Sequence, residues 1–238
     1  MSCDAIYTIK VLLCKSKETM EILICSATTF ELSPFLDALE KTPPLSPYKV
    51  EVLITEAGIP LSLISLVQQI SKKRPDMILQ VGIGGTLNPQ LPLNEVVWVN
   101  RDRFFEMGME DHKQIIPLNA ASWFNAPELF NSDGSVDAAA LPPWLAAEGL
   151  KQVEGFTVLK GHGAEASIAA AQKRYPQVDI ESMEGASALL CGKSFGIDTL
   201  QLRAISNRVE PRNVNEWRIK SAVEALNNYL IRWFLMPY

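Results

Sequence analysis

The sequence predicts an α/β fold with three layers, αβα, around a central twisted sheet that is mixed and largely parallel. Short aliphatic runs alternate with amphipathic ones along the chain, as strands and helices do in such folds. Parallel strands joined by helices need both faces covered. The 238 residues are 47% apolar, enough for one large core, and no internal repeat divides them. We therefore expect a single domain over residues 20–238.

The first half of the chain supplies four predicted strands and two predicted helices. The strands are aliphatic or β-branched runs bounded by Gly, Pro or Asn: Glu21–Ala27, Val50–Thr55, Met77–Val81 and Val96–Val99. Apolar residues recur at helical spacing over Glu31–Glu40 and Leu61–Lys73. The second helix ends before Pro75, because the residue preceding a proline avoids helical geometry.

The second half begins with an irregular segment and then becomes regular again. From Pro117 to Pro143 the chain mixes Pro, Gly, Asn and Asp with isolated aromatics, which predicts an excursion over the surface, such as a lid or an oligomer contact. The later predicted strands are Gly155–Leu159, Asp179–Met183 and Thr199–Ile205. The later predicted helices are Ala166–Arg174, Gly185–Phe195 and Glu216–Phe234.

The first nineteen residues show only a weak secondary-structure pattern. They lack the strongly basic start and small-residue cleavage site of a signal peptide. Met20, followed by EILICSA, is a natural beginning for the first strand. We interpret residues 1–19 as a non-functional extension, and the alternative is an extra edge strand from Ile6 to Leu13.

Composition excludes several classes of function. A net charge of −5 without a Lys/Arg cluster argues against a nucleic-acid binder, and no apolar run reaches the roughly 18 to 20 residues of a membrane span. Four cysteines without CxxC spacing and two histidines make neither a zinc set nor a disulfide framework. We expect a cytoplasmic protein with reduced thiols, a small-molecule partner, and no metal or cofactor. His112 is expected at the surface and Cys191 in the core.

Four segments carry candidate chemistry, and they lie where strands are expected to end, which is where open α/β sheets place ligands. They are residues 25–32, CSATTFEL; 81–86, VGIGGT; 180–186, IESMEGA; and 202–213, LRAISNRVEPRN. The glycine-rich segment matches neither a Walker A loop nor GxGxxG. Its small residues would let the backbone approach a ligand, and the alternative is a strand-to-helix turn that needs positive φ.

Together, in this order, the segments resemble those of the purine nucleoside phosphorylase and nucleosidase superfamily, from Met20 to the C-terminus. The run RAISNRVEPRN followed by Trp217, with DRFFEMGMED at residues 102–111, looks most like the futalosine hydrolase family. The resemblance implies a nucleoside phosphorylase-like fold and a homo-oligomer in which a neighbouring subunit helps to close the site. It also implies hydrolysis of futalosine to hypoxanthine and dehypoxanthine futalosine, in the alternative menaquinone pathway.

Cleaving a ribosyl bond creates an oxocarbenium-like sugar, so the site needs a carboxylate near the ring and a base for the attacking water. By resemblance, Glu184 would bind the ribose hydroxyls above an apolar surface formed by Met183; the alternative is a helix-dipole partner. Arg203 would pair with a site carboxylate such as Glu184, or form an ordinary ion pair. Glu31 stands where related nucleosidases activate water, and its alternative is a solvated first-turn residue.

The purine is expected to meet Asn207. In adenine-releasing relatives this segment ends in Asp, whereas an amide donates hydrogen bonds that suit N7 and O6 of hypoxanthine. The alternative is that Asn207 caps the turn into Arg208. Other candidates for contact with the substrate lie at the remaining strand ends: Ile83, Gly84, Ser206 and His162. For His162, a loop position without a catalytic role is the alternative.

Futalosine also carries a benzoate beyond its 5′ carbon, which a guanidinium can bind with two parallel hydrogen bonds. Arg212 is the main candidate, with Arg208 and Arg103 as others, and the alternative is a loop arginine bonded to carbonyls or to Glu210.

Other functions remain as alternatives. A phosphorylase would hold a phosphate with Arg, Ser or clustered backbone donors, yet residues 26–34 contain no Arg or Lys, and Ile83 stands where a hydroxyl would help. Water is therefore the expected nucleophile. A 5′-methylthioadenosine/S-adenosylhomocysteine nucleosidase is disfavoured by Asn207. A non-catalytic homologue is disfavoured because both Glu31 and Glu184 are present.

Overall fold

The computed structural model describes residues 19–45, 47–112 and 114–236. The helices are α1 Thr29–Leu39, α2 Ile59–Lys72, α3 Pro143–Ala146, α4 Glu165–Arg174, α5 Gly185–Phe195 and α6 Ile219–Leu235. The strands are β1 Met20–Ser26, β2 Tyr48–Ile54, β3 Met77–Thr86, β4 Val96–Arg103, β5 Met109–Asp111, β6 Gln114–Ile116, β7 Ser135–Asp137, β8 Lys151–Thr157, β9 Ile180–Ser182 and β10 Asp198–Arg208. Except for Thr19, the predicted N-terminal extension and the alternative strand Ile6–Leu13 lie outside the described residues.

Eight strands form the central mixed sheet, in the order β10-β4-β8-β9-β3-β1-β2, with β7 paired to β4. A further pairing of β10 with β3 closes five strands, β3, β10, β4, β8 and β9, into a ring. Five pairings are parallel, and three, β10 with β4, β3 with β9 and β4 with β7, are antiparallel. The predicted mixed α/β architecture is confirmed. The three-layer arrangement stays a prediction, because the sheet is partly closed.

Alternating side chains of β1 pack against different helices. Ile22 and Ile24 join a core cluster that includes Leu32 and Phe35 of α1 and Leu226 and Leu230 of α6. Leu23 and Cys25 join a second cluster, with α2 and α5. This period of two is what a strand buried on both faces requires. Among the described residues, no helix is long and apolar enough to cross a bilayer.

Two expectations for local structure need correction. Strand β3 continues to Thr86 instead of ending at Val81, and the alternative of a turn is wrong because none of Gly82, Gly84 and Gly85 has positive φ. The surface excursion at 117–143 contains β7, whose Val136 is fully buried against β4. A three-residue strand is too short to show a period, so composition alone concealed it.

Candidate active site

A pocket of about 610 Å³ opens where β1, β2, β8 and β9 end and where β3 and β10 approach their last residues. Nine of the ten predicted site residues line it: Glu31, Ile83, Gly84, His162, Met183, Glu184, Ser206, Asn207 and Arg212. Arg203 lies behind the pocket wall and is fully buried. The topology therefore brings together segments that are far apart in sequence, from Ala27 to Ile219.

Glu31 is buried rather than solvated, with only 6% of its surface exposed. It is the third residue of α1 and completes a capping box with Thr28. One carboxylate oxygen, Oε2, accepts hydrogen bonds from the Thr28 backbone N–H and hydroxyl, both at 3.0 Å, and from the Ser26 hydroxyl at 3.3 Å. The other, Oε1, accepts from the Ile83 backbone N–H at 3.0 Å. The helix cap thus fixes a carboxylate at the pocket wall.

Glu184 immediately precedes α5, yet its side chain does not cap that helix. Its Oε1 accepts a 2.8 Å hydrogen bond from the backbone N–H of Gly58 instead. Gly58 has a φ of 93°, a conformation that favours glycine, and it precedes the first turn of α2. Burial raises the pKa of Glu184, and the positive charge of Arg203 opposes that shift.

Arg203 holds its guanidinium beneath these two carboxylates. Its Nη1 lies 4.0 Å from Glu184 Oε2 and 3.5 Å from the carbonyl oxygen of Ile83. A side chain at Gly82 would occupy the space of the guanidinium and of Glu31 Oε1. The predicted pairing of Arg203 with Glu184 is therefore present, and the glycine at position 82 makes room for it.

Asn207 lines the opposite part of the pocket with Ser206. The Ser206 hydroxyl donates to Asn207 Oδ1 at 2.8 Å, and Asn207 Nδ2 donates to the Arg208 carbonyl at 2.9 Å. The amide therefore does bond to the turn, as the alternative predicts, but one of its two N–H groups is left for a ligand.

His162 follows β8, and its ring packs edge-on against Phe105 and Phe156. Its partner is Glu181, a residue that the sequence reasoning missed. Glu181 Oε1 accepts from the His162 backbone N–H at 2.9 Å, and Oε2 is bonded to His162 Nδ1. The spacing of Glu181 and Met183, two residues apart at a strand end, would have placed both on one side of the chain.

The mouth of the pocket carries Arg212, Trp217 and Phe30. The Arg212 guanidinium lies 4.9 Å from the centre of the Trp217 ring, as in a cation–π contact. Phe30 is 54% exposed. Neither aromatic side chain was a predicted site residue. Of the other arginine candidates, Arg103 is buried and bonded to Glu154, and neither it nor Arg208 lines the pocket.

The arrangement supplies two buried carboxylates, an amide and a carboxylate–histidine pair around one cavity. Such a set can bind a polar organic molecule and move protons at several points. Within the described ranges, no three His, Cys, Asp or Glu side chains are grouped so that they could hold a metal ion.

Solved structures of other proteins have a similar fold. The structure superposes on a 5′-methylthioadenosine/S-adenosylhomocysteine nucleosidase of Campylobacter jejuni with a TM-score of 0.72 and 19% identity, covering 90% of this chain and 98% of that one. For a futalosine hydrolase of Helicobacter pylori the TM-score is 0.73 at 16% identity, covering 89% and 96%. At these identities the likeness shows the fold alone.

Sequence comparison shows the family. A futalosine hydrolase of Streptomyces coelicolor is 29% identical over 159 residues, which are 64% of this chain and 63% of that protein, so the match spans less than two thirds of that relative's length. Residues 21–232 match the profile of the phosphorylase superfamily, which is most of the chain. This chain therefore belongs to the phosphorylase superfamily.

Proposed function

We propose that this chain hydrolyses the N-glycosidic bond of a purine nucleoside, and that its substrate is futalosine. The products would be hypoxanthine and dehypoxanthine futalosine, as in the alternative route to menaquinone. The observation that carries the proposal is the convergence of two buried carboxylates, Glu31 and Glu184, on one pocket. The similarity to the Streptomyces coelicolor futalosine hydrolase supports the choice of substrate.

Glu184 would bind the ribose hydroxyls. The Gly58 N–H and Arg203 fix the position of its carboxylate, so its oxygens need no reorganisation when the sugar becomes positively charged. Met183, which is 37% exposed in the pocket wall, would pack beneath the sugar ring. A negative charge near the ring stabilises the oxocarbenium-like transition state.

Glu31 would deprotonate the attacking water. A carboxylate can accept about four hydrogen bonds. Oε2 already accepts from the Ser26 hydroxyl and from the backbone N–H and hydroxyl of Thr28. Oε1 accepts only from the Ile83 N–H among the described residues, which leaves it a lone pair for a water molecule. The proton of that water passes to Oε1 as its oxygen attacks C1′ of the ribose.

Asn207 would recognise the base. Its oxygen accepts from the Ser206 hydroxyl and one N–H donates to the Arg208 carbonyl, so the second N–H remains for a ligand that accepts hydrogen bonds. N7 and O6 of hypoxanthine are acceptors, whereas the 6-amino group of adenine is a donor. This contrast favours a 6-oxopurine over the adenine nucleosides bound by many proteins of this fold.

Arg212 would bind the benzoate of futalosine beside Trp217. Arg212 has no ion-pair partner among the described residues, and its guanidinium lies 4.9 Å from the centre of the Trp217 ring. An aromatic carboxylate can stack on that ring and accept two hydrogen bonds from the guanidinium. Arg212→Ala should therefore damage futalosine cleavage far more than inosine cleavage. Equal losses on both nucleosides would assign Arg212 to the structure of the loop.

The proposed function is tested with the purified chain and three nucleosides: futalosine, inosine and 5′-methylthioadenosine. We expect hypoxanthine from futalosine at the highest kcat/KM. Preferential release of adenine from 5′-methylthioadenosine would instead show a nucleosidase for that substrate. No release of base from any of the three would contradict the assignment of a nucleosidase.

A further inference from the structure

The departing purine needs a proton, and Asn207 cannot supply it. When the bond between C1′ and N9 breaks, the electron pair stays with the base, which leaves as an anion unless it is protonated. A side-chain amide donates hydrogen bonds but does not give up a proton near neutral pH. A proton donor other than Asn207 is therefore needed, if the proposed function is correct.

His162 and Glu181 form the one pocket-lining histidine–carboxylate pair among the described residues. The two side chains are only 8% and 10% exposed. Glu181 binds both the backbone N–H and the ring Nδ1 of His162, so the ring orientation is fixed. No described residue bonds to Nε2 of this ring. The Nδ1 contact to a carboxylate directs the imidazole to present Nε2 to a ligand.

The sheet places this pair and Asn207 on opposite sides of β3. Glu181 of β9 and Asn207 of β10 both pair with Gly85 of β3, one on each side. Strands two positions apart in a sheet are separated by about 10 Å, twice the usual spacing. The space where a Cβ at position 85 would lie is filled by Val209 Cγ2 and by the Asn207 amide. Glu181, His162 and Asn207 nevertheless line the same pocket, so a base bound there would have a hydrogen-bonding group on either side.

We propose that His162 is the general acid of the reaction. The imidazolium donates its Nε2 proton to the purine as the bond between C1′ and N9 breaks, and Glu181 holds the Nδ1 proton throughout. Glu31 accepts the proton of the attacking water. The neutral base and the free sugar leave, Glu31 releases its proton to solvent, and His162 regains one, so protons and charge balance over the cycle.

The charges around His162 are compatible with this role. Glu181 is the carboxylate in contact, and Glu106, whose carboxylate accepts from the Leu159 N–H, adds negative charge nearby. Burial raises the pKa of the Glu181 carboxyl, and its contacts with His162 oppose that shift. The cations on neighbouring elements are Lys160 and Arg212 at the pocket and Arg174 over the Phe105 ring. Tyr175 also packs on Phe105 and Phe156.

The test is the pH dependence of futalosine cleavage by the wild type and by His162→Gln. Glutamine can donate a hydrogen bond but not a proton. We expect kcat to fall by ~10²-fold or more, as for loss of a general acid. In the wild type kcat should decline as pH rises and the pair loses its proton, and this alkaline decline should vanish in the variant. His112→Gln, at the other and exposed histidine, is the matched control and should behave as wild type.

A second comparison separates proton donation from simple binding. N7-methylated futalosine carries a positive charge on the purine, so its base leaves as a neutral molecule without a proton. His162→Gln should lose little activity on this nucleoside. Glu181→Gln, which keeps the shape of the pair, should move the alkaline decline to lower pH, and melting temperatures report the folding of each variant.

The outcomes are distinct. An alkaline decline that persists in His162→Gln, or equal losses on both nucleosides, would overturn the role of His162 and leave the proposed function intact. A wild type that cleaves neither nucleoside would overturn the proposed function and this inference with it.

Discussion

Glu31 has a double role at the scale of single residues, because it caps α1 and faces the pocket. Glu31→Gln keeps the size of the side chain and an oxygen that can accept from the Ile83 N–H. If Glu31 is the general base, turnover should fall by at least ~10²-fold while nucleoside binding stays close to the wild-type value. The rate of hypoxanthine release measures turnover, and calorimetric titration measures nucleoside binding.

The matched control is Glu40→Gln, at the exposed end of the same helix. Near-native turnover in Glu31→Gln would remove this residue from the mechanism.

Asn207 provides the second residue-scale prediction. Asn207→Asp replaces a donor by an acceptor, and a mismatch of a buried hydrogen-bonding group costs about 1 to 3 kcal/mol. The variant should therefore shift kcat/KM from futalosine toward its 6-amino counterpart. The ratio of the two kcat/KM values is the measurement, and Asn215→Asp, on the exposed loop before α6, is the control. An unchanged ratio in Asn207→Asp would show that another group recognises the base.

The sequence could predict a site residue where its type and its position at a strand end both indicated chemistry. Glu31, Glu184 and Asn207 met both conditions, and the structure places all three on one pocket. Gly58 met neither condition. It contributes a backbone N–H, which reaches Glu184 only when the turn before α2 has folded. Glu181 was overlooked because its partner, His162, lies nineteen residues away and follows another strand.

At the scale of secondary structure, the start of α1 connects stability with the site. Thr28 accepts a hydrogen bond from the Glu31 backbone N–H and donates two to its carboxylate. Thr28→Ala should cost about 1 kcal/mol of unfolding free energy, the usual value of an N-cap. It should also lower kcat, because the Glu31 carboxylate loses its hydroxyl donor. Urea unfolding and initial rates measure the two effects.

Thr28→Ser retains the hydroxyl and is the control, since it should preserve both stability and turnover. A loss of stability without any change in kcat would show that the cap does not position the carboxylate.

The elements also show where sequence patterns stop being informative. Long periodic segments such as α2 and α5 were predicted nearly to their ends. β3 runs five residues past its predicted end. Its glycines were expected to let the backbone approach a ligand, whereas Gly82 leaves space for Arg203. Composition reports that a residue is small but not which neighbour requires the space.

At the scale of the whole molecule, the closed ring of five strands buries a carboxylate. Asp102 of β4 is fully buried, and it accepts from Gln201 Nε2 of β10 at 2.9 Å and from the Thr157 hydroxyl of β8 at 3.1 Å. Burial raises the pKa of Asp102 from 3.8 to about 6. No sequence pattern could reveal this, because the ring brings three distant strands to one point.

A raised pKa in the folded state makes the stability from Asp102 largest below about pH 4 and reduces it as pH rises through about 6. The loss is on the order of 3 kcal/mol. Asp102→Asn should therefore differ from the wild type by an amount that changes between pH 4 and pH 6. Urea unfolding across this range, with the exposed Asp198→Asn as control, measures the change. Parallel stability curves would contradict the raised pKa.

The central claim is that water attacks a nucleoside held between Glu31 and Glu184. Its most direct test is futalosine cleavage in ¹⁸O-labelled water, with and without inorganic phosphate. The account predicts hypoxanthine, one ¹⁸O atom at C1 of the sugar product, and a rate that phosphate does not change. A sugar 1-phosphate as product, with cleavage that requires added phosphate, would contradict it.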